Sequence, residues 1–160
     1  MRLRLLLTIS VLTVLSCSSC TVKTSLISEK LDKVESLLTS EPDSALLLIE
    51  GIDLETIHKE KIKARHALLY SIIMDKRHVD IQSDSLIRPA LEYYPRHGDC
   101  QETAMTFYYT ARIYENADDL ELAMKYLVKA ESIRSNKDPY LNSLIHSAKG
   151  RIYNHLHEYA

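Results

Sequence analysis

Residues 107 to 130 read FYYTARIYENADDLELAMKYLVKA, and this stretch decides the fold. Two runs with apolar side chains at helical spacing flank Asn116-Ala117-Asp118-Asp119, four residues suited to a tight turn and a helix start. A large residue, Phe107, precedes a small one, Ala111, and an aromatic one, Tyr114. After the turn, Leu120 leads into Ala123, Leu127 and Ala130. Alanines placed one turn apart let two helix backbones approach closely, and the large side chains between them fill the remaining space. The pattern predicts two antiparallel helices joined by a short link.

Working outward, the same grammar recurs. Ala111-Arg112-Ile113-Tyr114 is echoed 39 residues later by Gly150-Arg151-Ile152-Tyr153. A period of this size signals stacked helical units. These residues resemble the tetratricopeptide repeat, a 34-residue helix–turn–helix unit. The resemblance implies packing roles for Phe107, Ala111, Tyr114, Ala123, Leu127, Ala130, Gly150 and Tyr153. Five residues beyond 34 fit a longer linker at 136–140, and the proline usual near a repeat end stands at Pro139. Upstream, Leu31 to Ile49 and Ala64 to Tyr94 read as degenerate hairpins without an assignable register.

About seven helices are expected after the leader: Leu26–Leu38, a second over Ala45–Ile49 capped by Asp43 or Ser44, Leu54–Met74, Ser85–Tyr94 ending before Pro95, Gln101–Asn116, Leu120–Ser135 and Tyr140–Leu156. No segment alternates as a strand does. The expected architecture is all-α, an antiparallel helix-hairpin solenoid over 29–160, with its last repeat incomplete. The second helix of that repeat would open at Tyr159-Ala160, leaving Ile152, Tyr153 and Leu156 partly uncovered. A shortened gene or a partner that completes the stack would account for this.

The first twenty residues form an address. Arg2 and Arg4 precede an apolar run from Leu5 to Leu15, the length of a signal peptide and too short to span a bilayer. Val14-Leu15-Ser16-Cys17 resembles the lipobox of bacterial lipoproteins, with valine in place of the favoured leucine. The resemblance implies cleavage after residue 16, acylation of Cys17 (Cys20 being the alternative) and a lipidated tether over 17–28. Several acyl chains on one residue give stable anchoring. Ser18 after Cys17 implies the outer membrane, with the chain facing the periplasm. The phrases LLTSEPDSAL (37–46) and DSLIRPAL (84–91) resemble exported repeat lipoproteins of Gram-negative bacteria. In many of these the repeats precede a membrane helix and a signalling segment, so the resemblance implies a sensory or scaffolding half.

Composition supports a helical body. Of 160 residues, three are glycine and four proline, while 46% are hydrophobic; that is too few breakers for a turn-rich sheet protein. Net charge is −2, becoming −4 without residues 1–16, so no basic footprint for nucleic acid exists. Beyond Cys17 and Cys20 only Cys100 remains, too few for a disulfide framework.

Candidate chemistry is sparse. Proteins resembling this repeat bind extended peptides along the first helix of each hairpin. That implies a protein or peptide partner met by Tyr108, Arg112, Asn116, Arg151 and Asn154, with Met105, Glu115, Leu144, Ser147 and His155 beside them. Arg112 and Arg151 would grip a carboxylate by forked hydrogen bonds, or else pair with Glu115 or Glu102. His155 and His157 point to opposite sides of a helix and lack a third ligand, so no metal is expected. His97 and Cys100 flank a turn with no oxyanion device. No catalytic residue and no cofactor are expected. A helical substrate-capture or enzymatic lipoprotein is the alternative, along with a gene product lacking independent function. Glycan chemistry would want clustered tryptophans and a carboxylate pair, and the chain has no tryptophan.

Overall fold

A computed structural model describes residues 24–133 and 138–158. The leader, Cys17, Cys20, most of the expected tether, the linker residues 134–137 and Tyr159-Ala160 lie outside the described residues. All regular structure among those described is helical, with no strand. The described part of α1 covers residues 24–37. It is followed by α2 (Pro42–Glu50), a 3-10 turn (Leu54–Thr56), α3 (Glu60–Lys76), α4 (Arg88–His97), α5 (Cys100–Asn116), α6 (Leu120–Ser132) and α7 (Pro139–Glu158).

Local sequence explains most of the boundaries. The α5 start is a capping box: the Asp99 carboxylate accepts from Glu102 N–H at 2.9 Å, and the Glu102 side chain accepts from Asp99 N–H at 3.3 Å. Asp119 caps α6 by accepting from Leu122 N–H at 3.0 Å. Between α5 and α6, Asp118 takes the left-handed conformation at φ 61°, which lets the chain reverse within three residues.

Four expected boundaries are corrected. α2 begins at Pro42 rather than behind an Asp43 or Ser44 cap, because proline's fixed φ suits the first helical turn; Asp43 instead pairs with Arg77 at 2.7 Å. The expected helix Leu54–Met74 is divided. Asp53 caps a single 3-10 turn, and Ile57 then runs extended with its side chain buried before α3 starts at Glu60. α4 starts at Arg88 and continues through Pro95 to His97. Tyr94, 1% exposed, holds this last turn against the core, and its carbonyl accepts from Gly98 N–H and Thr103 Oγ1. α6 ends at Ser132, with Ile133 extended.

Successive helices pack on one another from α2 to α7, and α3, α5 and α7 also touch in a row. α1 joins through buried Leu31 and Val34 and through Arg65 of α3, which binds Asp32 and Glu35. The α5–α6 pair follows the sequence pattern closely. Ala111, Ala123, Leu127 and Ala130 are all essentially buried. Phe107 and Tyr114 are half-buried and pack on Tyr126, with centroids 6.1 Å and 5.6 Å away, so they serve the hairpin itself.

The second echo behaves differently. A Cβ added at Gly150 would meet nothing within 4 Å, and Tyr153 is 61% exposed. The expectation that these two pack between helices is therefore corrected. They occupy on α7 the register that α6 covers on α5, and no described helix covers it there. Ile152, expected partly bare, is buried, and the small residue that packs on α7 is Ala148.

Candidate functional site

The row α3, α5, α7 is stitched by charge. Asp75, in the last turn of α3, accepts from Arg112 Nε of α5 at 2.9 Å. Arg112 also binds Glu115 one turn along its own helix. Glu115 in turn receives a fork from Arg151 of α7, with Nε and Nη2 at 2.9 and 3.1 Å. Arg65 makes the equivalent reach from α3 back to Asp32 and Glu35 of α1. Each of these three helices thus sends one arginine to an acid on the preceding odd-numbered helix.

The electrostatics follow from this enclosure. Burial favours a neutral Glu115, but the bonds and charges of Arg151 and Arg112 outweigh it and hold the carboxyl below its ordinary range. Burial likewise opposes the charge on Arg112, and Asp75 and Glu115 more than compensate, raising its pKa. Arg151 is raised chiefly by its bond to Glu115. Tyr108 has its hydroxyl pushed up to about 12, first by burial and then by the nearby Asp75 charge.

The residues expected to meet a partner divide. Tyr108 is 3% exposed, which corrects its placement on an open surface. It packs edge-on to Tyr109 with centroids 5.0 Å apart, under the influence of the surrounding ion pairs. The Arg112 fork is engaged by Asp75 and Glu115, so the carboxylate it was expected to grip is supplied from within. Asn116 holds the loop before α4: its Nδ2 donates to Ile81 O at 3.4 Å, and its own carbonyl accepts from Gln82 Nε2 at 3.2 Å. Arg151, 49% exposed, and Asn154 stay on the surface.

A crevice of about 360 Å³ opens where the α5–α6 link faces α7. Glu115, Asn116, Asp118, Arg151 and His155 give it a mixed-charge lining, with Leu120 and Ile152 adding apolar contact. His155 Nδ1 lies 3.8 Å from the Asp118 carboxylate. Such a surface has hydrogen-bond donors and acceptors for a polypeptide. Asp75 and Arg65 were missed in the sequence, although a signal existed: an acid stands 37 residues before Arg112, 36 before Arg151, and 33 and 30 before Arg65.

Among the described residues no group of three histidines, cysteines or acids is placed to hold a metal. Cys100 is exposed, and the His97 ring turns back to Tyr93, donating to its carbonyl at 3.2 Å and stacking on its ring at 4.9 Å. No described helix is long and apolar enough to cross a membrane. Against protein-family models, curated proteins and solved structures, the chain has no match.

Proposed function

We propose that this chain is an envelope-anchored lipoprotein of the tetratricopeptide-repeat type, lipidated at Cys17, which binds a protein or peptide partner along the row α3, α5, α7. In this reading it is a scaffold or sensory module held at the outer membrane, facing the periplasm, rather than an enzyme. The observation that carries it is the arginine series. Arg65, Arg112 and Arg151 each tie one hairpin's first helix to the previous one, through an acid 30 to 37 residues earlier, a separation close to one repeat. This leaves the half-exposed Arg151 in the lining of a polar crevice, with the exposed Asn154 three residues further along α7. Stacked hairpins that share such a row present an extended binding surface.

The test is photo-crosslinking in living Gram-negative cells expressing the full-length chain. A benzophenone amino acid at Asn154 is expected to yield a discrete adduct in the envelope fraction. Arg151→Ala in that background is expected to lower the adduct about tenfold, the effect of removing a contact of ~1.4 kcal/mol. No adduct, or an adduct indifferent to Arg151, sinks the binding surface. Labelled palmitate that enters the wild type but not Cys17→Ser checks the anchor separately.

A further inference from the structure

At the α1 end of the molecule an open groove of about 610 Å³ runs between α1 and the chain leaving α2. Leu26, Ile27, Leu48 and Ile52 supply its apolar lining, and the stems of Lys30 and Lys33 border it. Its volume is that of a small-molecule site, yet its walls are shallow and greasy. Leu26 is 55% exposed and Leu48 36%, and Leu47 and Leu54, next in sequence to the lining residues, are exposed as well. A helical surface facing only water rarely gathers leucines this way.

We infer that this groove rests on a phospholipid bilayer and takes the headgroup-proximal segments of its acyl chains. The inference rests on the lipid anchor proposed above. Thr24, where the described part of α1 begins, stands seven positions after Cys17, and even fully extended that stretch spans no more than about 25 Å. The anchor therefore keeps Leu26 and the groove beside the membrane. Apolar helical faces in that position settle about 5–10 Å into the boundary between headgroups and acyl chains. Lysine stems lie along such a face while their ammonium groups reach the phosphates. Glu29 and Asp53 also line the groove and offset Lys30 and Lys33. Docking is thus driven by apolar contact, and zwitterionic lipid suffices.

The chain has no tryptophan, so a single introduced indole reports one place. Full-length Leu48→Trp, Leu26→Trp and Tyr153→Trp variants, the last on the bare face of α7, are purified and reconstituted in phosphatidylethanolamine vesicles with brominated acyl chains. Circular dichroism selects the groove variant that keeps native helix. That variant is expected to shift to the blue and lose most of its emission, while Tyr153→Trp keeps its own. If palmitate labels the protein and the groove indole is quenched no more than Tyr153→Trp, the bilayer contact is overturned and the anchor stands. If palmitate does not label it, the anchor reading fails, and the same variants with excess vesicles decide the groove: quenching supports the contact, its absence overturns it. A blue shift present without vesicles and lost on dilution would place a second copy in the groove and overturn the proposal.

Discussion

At Gly98 an added methyl group would stand 2.5 Å from Tyr94 Cδ1 and 3.0 Å from its carbonyl oxygen, and the buried Tyr94 ring has nowhere to move. Gly98→Ala is expected to destabilise by about 1–3 kcal/mol, the usual result of overpacking. Gly150 has open space around it within α7. Gly150→Ala is therefore expected to stabilise by roughly 0.5–1 kcal/mol, since only helix propensity changes. Urea midpoints of the two variants check both signs. The contrast shows where residue types were readable. Small residues at Ala111, Ala123 and Ala130 announced close helix contacts, and all three are buried. Gly150 and Tyr153 carry the same letters in the same register, but letters do not say whether a neighbouring helix is there. Tyr108 was misplaced for a related reason: helical spacing puts it on the same face as Arg112, while two cross-helix ion pairs close over that face.

Among helices, the ion pairs carry information that spacing alone left ambiguous. Arg112 and Arg151 were recognisable as stacked arginines with Glu115 or Glu102 as possible partners, but their cross-helix acceptors stand 37 and 36 residues earlier, and only packing selects Asp75 and Glu115. Glu115 is the hub, receiving both guanidinium groups with its side chain 16% exposed. Glu115→Ala leaves two like charges facing each other and is expected to cost about 1–3 kcal/mol. Arg151→Ala, removing a half-exposed partner, is expected to cost less than about 1 kcal/mol. Denaturant unfolding of both variants tests the order, and equal losses would show that Glu115 is not the hub. Helix existence was legible throughout because apolar periodicity is a local signal. Helix ends were less so. Pro95 would stop a helix in isolation, but burial of Tyr94 carries α4 two residues past it.

For the molecule as a whole, acid should act in two steps. His66, 6% exposed in α3, has its pKa pushed below the ordinary 6.5, mainly by burial and against a weak bond from Nε2 to Ile49 O. The unfolded chain then binds the extra proton first, so stability is full above about pH 6.5 and declines as pH falls below it. Glu115 has its folded value depressed, so its contribution is present above the ordinary carboxylate range and is lost as pH drops through it. Urea midpoints measured across pH are expected to fall in a first step that His66→Phe removes and a second, more acidic one that Glu115→Gln reduces. A first step that persists in His66→Phe would exclude that histidine as its source.

The arginine series has one more implication, for how the molecule answers its surroundings. Its odd-numbered helices are sewn to each other by partly wetted ions, while the α5–α6 hairpin closes on alanine, leucine and stacked rings. Dissolved electrolyte weakens the first kind of seam, chiefly at the half-exposed Arg151, and leaves the second untouched. Rising salt is therefore expected to loosen the contact between the odd-numbered helices while the α5–α6 hairpin keeps its own packing.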